Sequence, residues 1–208
     1  MGIQNAYNEW SEIYDSNDNR TRDLDKSVTR EALAGQHFNS ILELGCGTGK
    51  NTIFLAQIGT SIHALDFSQG MLEKAKEKVK AANVRFSTAD LTERWPCEDS
   101  AHDLITCNLV LEHIAELSHI FSEAARVIQP SGRFLINELH PFRQYHGTKA
   151  RFESGQEIVE VEAYVHHISD FTKAAHANGL KLAKLDEYWH ADDQDKPPRL
   201  ISLIFAPV

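Results

Sequence analysis

The sequence predicts an α/β protein in which a mostly parallel β-sheet is covered by helices. Short apolar segments alternate with amphipathic helical patterns along the chain, as in sheets whose parallel strands are joined by helices. A glycine-rich turn, Gly45–Gly49, follows the first long apolar segment. The last two apolar segments flank the short loop Asp192–Pro198, which predicts a hairpin and therefore one antiparallel strand.

Seven segments are predicted to be strands, because each is short, apolar and bounded by turn-forming residues. They are Ile41–Leu44, Ser61–Leu65, Val84–Phe86, Asp103–Cys107, Arg133–Asn137, a strand that opens at Leu180–Leu182, and Leu200–Phe205.

Amphipathic patterns between these segments predict the helices. One pattern runs over Ser68–Ala82, with its serine as the N-cap, and another over Leu117–Ile128, before a turn at Pro130–Gly132. A late helix is predicted over Ser169–Asn178, and Gly179 is well placed as its left-handed cap.

We expect one domain over residues 1–208, because neither a repeat nor a linker divides the chain. Residues 1–35 are predicted to form a helical cap that includes the aromatic-rich helix candidate Tyr7–Tyr14. Residues 139–167 are too long for a simple connection, which predicts a substrate lid. The polar and aromatic side chains that favour a lid are Phe142, Tyr145, His146, Phe152 and Tyr164.

Composition limits the location and the partners. Apolar residues make up 42% of the chain and charged residues 25%, which is typical of a globular protein. The start of the chain lacks a secretory pattern, no apolar run is long enough to span a membrane, and the three cysteines are well separated. We therefore expect a cytoplasmic protein without membrane contact. A monomer or homodimer is expected. The net charge of −9 argues against nucleic acid as a partner.

The turn Gly45-x-Gly47-x-Gly49 lies where an open α/β sheet binds its ligands. Asp66 and Asp90 end the next two predicted strands, and a carboxylate at such a position can accept hydrogen bonds from ribose hydroxyls. The spacing differs from the dinucleotide pattern Gly-x-Gly-x-x-Gly and from the phosphate-binding loop that ends in Gly-Lys-Ser/Thr. These residues therefore favour a nucleoside as the ligand.

Four motifs, in order, resemble those of the class I S-adenosylmethionine-dependent methyltransferases. They are Glu43-Leu-Gly-Cys-Gly-Thr-Gly49, Ala64-Leu-Asp-Phe-Ser68, Ala89-Asp90-Leu91, and Asp103-Leu-Ile-Thr-Cys-Asn108 with Leu111-Glu-His-Ile114. The resemblance covers about residues 40–138. Within the family, the sequence is similar in pattern to the methyltransferases of ubiquinone and menaquinone biosynthesis. It implies a Rossmann-like, doubly wound sheet of seven strands, the last antiparallel, with helices on both faces.

The resemblance also implies the residues that contact S-adenosylmethionine. They are Tyr14, Glu43, Gly45, Cys46, Gly47, Gly49, Asp66, Phe67, Met71, Asp90, Leu91 and Asn108. Asp66 would bind the ribose hydroxyls, and Asp90 the adenine amino group. Glu43 would orient the turn or the cofactor's ammonium group, while Asn108 would lie near the sulfonium.

The predicted reaction is methyl transfer to a small-molecule O-, N- or C-nucleophile without a metal. A general base assists a hydroxyl or carbon acid but is hardly needed by a thiolate or free amine. Glu112, His113, His140 and His167 are the candidates, because the first two follow the fourth strand, His140 follows the fifth, and His167 precedes the late helix. A nicotinamide-dependent oxidoreductase and a non-catalytic S-adenosylmethionine-binding protein remain as alternatives.

Overall fold

The computed structural model describes residues 3–11, 13–16, 19–149, 151–154 and 157–208, with the backbone alone for 151–154 and 157–159. The main sheet has the strand order β3-β2-β1-β4-β5-β9-β8. Its strands are β1 Phe38–Leu44, β2 Gly59–Asp66, β3 Val84–Thr88, β4 His102–Asn108, β5 Ile128–Leu139, β8 Leu180–Tyr188 and β9 Leu200–Pro207. A separate hairpin consists of β6 Arg151–Ser154 and β7 Glu157–Glu160.

Seven α-helices are assigned in the described part of the chain. They are α1 Ile3–Trp10, α2 Arg20–Ala32, α3 Thr52–Ile58, α4 Gln69–Lys78, α5 Leu117–Val127, α6 Pro141–Tyr145 and α7 Ile168–Ala177. A 3-10 turn, Leu111–His113, follows β4. Within the residues described, none of these helices has the length and apolar character needed to cross a bilayer.

The predicted doubly wound architecture is confirmed. Strands β1 to β5 pair in parallel, and β9 is antiparallel to both of its neighbours. Successive side chains of a strand point to opposite faces, so Leu42 packs into one core layer and Ile41 into the other. Phe121 of α5 lies in the first layer, whereas Leu55 of α3 lies in the second. Helices therefore cover both faces.

Three predicted boundaries differ from the structure. The N-terminal helix is Ile3–Trp10 rather than Tyr7–Tyr14, and α4 ends at Lys78, where Val79 turns to an extended conformation, rather than at Ala82. The residues of the predicted turn, Pro130–Gly132, lie within β5, which follows α5 directly. Proline cannot donate to a sheet ladder, and the β4–β5 register shifts at this point before pairing resumes at Arg133.

Candidate active site

Two adjoining cavities open at the carboxyl ends of the parallel strands. The first cavity, of about 240 Å³, lies beside the turn that follows β1. The second cavity, of about 540 Å³, shares Tyr7, Tyr14 and Leu109 with the first. A recess of about 50 Å³ also borders this turn, and Gly45 and Gly47 line both the recess and the first cavity.

The turn after β1 brings main chain to the wall of the first cavity. Gly45 has φ +65°, and a Cβ there would collide with the side chain of Val110. Gly47 has φ +53°, with open space where its Cβ would be. Glycine tolerates such positive φ angles, so both residues leave backbone facing the cavity. Gly49 lies outside the first cavity and the recess, against Val79.

Asp66 ends β2 and connects the glycine turn to the next loop. Its Oδ2 accepts a hydrogen bond from the Gly47 N–H at 2.7 Å, and its Oδ1 accepts one from the Ser68 N–H at 2.9 Å. The side chain lines the first cavity and is only 6% exposed. Burial raises the pKa of Asp66 to about 6, although these backbone hydrogen bonds favour the carboxylate. Asp66 is therefore a hydrogen-bond acceptor that its backbone contacts hold in place beside the turn.

Four other predicted site residues form part of the wall of the first cavity. They are Phe67, Met71, Asp90 and Leu91. Met71 is buried at the first turn of α4, where the Ser68 hydroxyl accepts its N–H. Asp90 is exposed, and its Oδ1 accepts hydrogen bonds from the Thr92 N–H and hydroxyl. This wall combines apolar surface with one carboxylate.

The recess contains two buried carboxyl groups. Glu43 Oε2 accepts a hydrogen bond from the Thr52 hydroxyl at 2.6 Å, and burial raises the pKa of Glu43 to about 8. Asp25 of α2 lies in the same recess, and burial raises its pKa too. Cys46 also lines the recess, and burial raises the pKa of its thiol. A cation in the recess would stabilise both carboxylates.

Asp25 is a site residue that the sequence analysis missed. Its Oδ1 accepts hydrogen bonds from Asn108 at 2.6 Å and Asn137 at 3.0 Å, and its Oδ2 accepts one from Asn51 at 2.8 Å. These contacts fix Asn108 at the end of β4, where it lines the first cavity and the recess. The pattern of α2 alone does not indicate this role, because the partners are distant in sequence.

The N-terminal segment supplies an aromatic wall that joins the two cavities. The Arg22 guanidinium lies 4.1 Å from the Tyr14 ring centroid and donates a hydrogen bond to the Tyr14 carbonyl. The rings of Trp10 and Tyr14 are 4.9 Å apart in an edge-to-face arrangement. Tyr14 thus lines the first cavity, the second cavity and the recess.

His113 lies on the first cavity with its ring fixed at both nitrogens. Nδ1 is 2.7 Å from the Glu162 carbonyl oxygen, which can only accept, so Nδ1 carries the hydrogen. Nε2 then accepts the hydroxyl hydrogen of Tyr7, also at 2.7 Å. Burial lowers the pKa of His113 and raises that of Tyr7. The pair is therefore a neutral imidazole and a protonated phenol.

Glu112 faces the second cavity from the same 3-10 turn. Burial raises the pKa of Glu112 to about 7, and its Oε2 is buried without a hydrogen-bond partner among the described residues. Glu138, which the sequence analysis also missed, fixes this turn. Its Oε1 accepts hydrogen bonds from the Val110 N–H at 2.9 Å and the Leu111 N–H at 2.7 Å.

The other two predicted base candidates lie elsewhere. His140 is fully buried, 2.9 Å from Glu187, and caps α6. His167 caps α7 and forms a hydrogen bond with the Tyr145 hydroxyl. Neither histidine is among the described residues that line the first or second cavity. Of the four predicted base candidates, the geometry favours Glu112 and His113, because these two line the cavities.

Residues of the predicted lid segment contact the site. Tyr164 N–H donates to the Glu112 carbonyl at 2.6 Å, and Thr148 and Lys149 line the second cavity. Phe142 and Tyr145, about half exposed, line neither cavity. The Phe152 side chain lies outside the described residues. A lid role for residues 139–167 remains a prediction.

Comparisons with known proteins identify the family. A family model for a methyltransferase domain matches residues 42–136. An uncharacterised methyltransferase of Emericella nidulans is 30% identical over 87% of this chain and 76% of its own length. A demethylmenaquinone methyltransferase of Clavibacter sepedonicus is 35% identical, but the match covers 53% of this chain and only 45% of that relative.

Solved structures share the fold. The complex of DhpI with S-adenosylhomocysteine has a TM-score of 0.75 at 19% identity, covering 99% of this chain and 95% of that one. An S-adenosylmethionine-dependent methyltransferase from Mesorhizobium loti has a TM-score of 0.72 at 15% identity, covering 87% and 97%.

The fold is Rossmann-like, and its cavities open at the carboxyl ends of the parallel strands. With the relatives above, the chain belongs to the class I S-adenosylmethionine-dependent methyltransferases. Its cofactor is S-adenosylmethionine, which decides against the nicotinamide-dependent alternative.

Proposed function

We propose that this chain transfers a methyl group from S-adenosylmethionine to a small-molecule O-, N- or C-nucleophile by in-line displacement. The observation that carries the proposal is the pair of cavities that share Tyr7, Tyr14 and Leu109. A site with two adjoining chambers can hold a cofactor and an acceptor together, and such alignment supplies roughly 7–11 kcal/mol of a reaction barrier.

The first cavity and the recess fit S-adenosylmethionine in chemical character. The cofactor supplies a methyl group bonded to a positively charged sulfur. Gly45 and Gly47 leave room for a ligand against the backbone, and Asp66 would accept hydrogen bonds from the ribose hydroxyls. The recess offers the carboxyl groups of Glu43 and Asp25, which would bind an ammonium group.

The second cavity is proposed to hold the acceptor. Glu112 lies in its wall with a pKa of about 7, close to the value that suits a general base at neutral pH. The name of the Clavibacter sepedonicus relative, a demethylmenaquinone methyltransferase, supports a small-molecule acceptor. Whether Glu112 or His113 takes the proton depends on where the acceptor's reactive atom lies between the two cavities.

Two measurements test this proposal together. Calorimetry should show binding of S-adenosylmethionine and S-adenosylhomocysteine but none of NAD. A panel of phenols, carboxylic acids, amines and thiols should then include compounds that yield S-adenosylhomocysteine and a methylated product. Cofactor binding without turnover across the panel would instead identify a non-catalytic binding protein.

A further inference from the structure

We infer that the second cavity selects an acceptor that carries an anionic oxygen group, such as a carboxylate or a phosphonate, and an O–H or N–H group at its other end. This inference rests on the proposed function and names the chemical class of the acceptor. It follows from the charges in the cavity wall and from one unsatisfied carboxyl oxygen.

Among the side chains that the structure describes, four cations line the second cavity, against one carboxyl group. The cations are Arg20, Arg22, Lys149 and Arg199, and the carboxyl belongs to Glu112. In a protein whose net charge is −9, this concentration of positive charge is local. Cavity walls of one sign focus the electrostatic field and attract ligands of opposite charge.

Two of these cations have partners that a ligand can displace. Arg20 pairs with Asp192 at 3.1 Å, and both side chains are more than half exposed. Lys149 is 3.6 Å from Glu160, also at the surface. Exposed ion pairs of this kind contribute only about 0–1 kcal/mol. An anion in the cavity can therefore replace both partner carboxylates at little cost in free energy.

The third cation is already oriented. Arg199 donates two hydrogen bonds to Asp193, both 2.6 Å long, which fixes its guanidinium, while its Nη1 lies 3.1 Å from the Thr21 hydroxyl. Thr21 belongs to the first turn of α2 and also lines the cavity. The positive end of a helix dipole favours negative charge, so this wall reinforces the preference for an anion.

Glu112 marks the other end of the ligand. Its Oε2 is buried and has no hydrogen-bond partner among the described residues, and leaving such a group unpaired costs about 1–3 kcal/mol. A rotation of the Glu112 side chain toward the cavity would bring this oxygen to an O–H or N–H group of a ligand. Tyr7, Trp10 and Tyr14 also line this cavity, so an apolar body between the two polar ends would meet aromatic rings.

The test uses the full chain saturated with S-adenosylhomocysteine. The probes are 4-hydroxybenzoate, 4-hydroxyphenylphosphonate and glycolate, with 4-hydroxybenzamide and glycolamide as neutral counterparts, titrated by calorimetry. We expect at least one anionic probe to bind about tenfold or more tightly than its neutral counterpart, which corresponds to about 1.4 kcal/mol.

Charge-neutral variants locate the effect. Arg20→Gln and Lys149→Gln should each weaken the anionic probe severalfold without changing S-adenosylhomocysteine affinity. Arg133→Gln and Lys184→Gln are matched controls, because both side chains are exposed, and neither lines the second cavity as described. The controls should bind like the unmodified chain.

Two outcomes overturn the inference while leaving the proposed function intact. One is equal affinity for anionic and neutral probes, or no anion binding up to about 10 mM, when S-adenosylhomocysteine is bound. The other is a preference for anions that Arg20→Gln and Lys149→Gln do not reduce. Failure of S-adenosylhomocysteine itself to bind would instead contradict the proposed function.

Discussion

Asp25 Oδ1 accepts a hydrogen bond from Asn108 Nδ2 at 2.6 Å, although 83 positions separate the two residues. One carboxyl group of helix α2 thus orients a side chain at the end of the central strand β4. The same carboxyl also accepts hydrogen bonds from Asn137 and Asn51. Helix α2 therefore helps to build the candidate site.

Replacing Asp25 tests this arrangement. Asp25→Ala removes the acceptor for three amide donors, and an unsatisfied buried donor costs about 1–3 kcal/mol. We expect a loss of that size or more in the free energy of unfolding, and weaker S-adenosylhomocysteine binding. Urea unfolding and calorimetry measure the two effects. Asp23→Ala on the same helix is the control, because the exposed Asp23 side chain pairs with Lys50 at the surface. An equal effect there would contradict this role of Asp25.

Asp66→Ala should weaken binding of the cofactor by at least about tenfold in a folded protein, because a charged acceptor of a hydroxyl contributes about 1.5–3 kcal/mol. Calorimetry with S-adenosylhomocysteine measures this loss. Asp103→Ala is a matched control. Asp103 also accepts two backbone N–H groups, from Asn39 and Ser40, but it lies at the opposite end of the sheet. Unchanged affinity in Asp66→Ala would disprove the ribose assignment.

Glu112→Gln should lower the rate of methyl transfer to an O–H acceptor by about 10²-fold or more, with unchanged S-adenosylhomocysteine affinity. The unmodified chain should become faster as pH rises through about 7, because only the carboxylate form of Glu112 accepts a proton. The variant should lose this dependence.

The control for Glu112 is His167→Gln, since His167 is exposed and outside both cavities as described. It should leave the rate nearly unchanged. If Glu112→Gln kept the full rate and pH profile, Glu112 would not be the general base.

Burial raises the pKa of Glu138 to about 8, which links stability to pH. The folded state keeps its proton where the unfolded chain has lost it, so this contribution declines as pH rises from the unfolded value, about 4.5, through 8. The free energy of unfolding should therefore fall between about pH 6.5 and pH 8. Glu138→Gln should reduce that fall, as measured by urea unfolding at both pH values.

The matched control is Glu123→Gln. The pKa of Glu123 is lowered chiefly by its hydrogen bond with Arg126, so its stabilisation is lost only in acid, as pH falls through the lowered value. The variant should be destabilised equally at about pH 6.5 and pH 8. A slope in Glu138→Gln as steep as in the unmodified chain would contradict the role given to Glu138.

Predictions from local patterns were accurate for the sheet. The strand segments, the antiparallel β9 and the left-handed Gly179, with φ +73°, all agree with the structure. These features depend on side-chain alternation and backbone freedom, which neighbouring residues express directly. Helix ends were less predictable. The extended Val79 that ends α4 packs beside Gly49, a contact that helical periodicity does not indicate.

The order of apolar segments and motifs was thus sufficient for the fold class and the cofactor family. Only the tertiary structure showed that Asp25 and Glu138 shape the candidate site. It also showed that Glu112 and His113 line the cavities, whereas His140 and His167 lie elsewhere. The reason is physical. Backbone conformation follows largely from adjacent residues, whereas burial and hydrogen-bond partners depend on groups that come together only when distant parts of the chain pack.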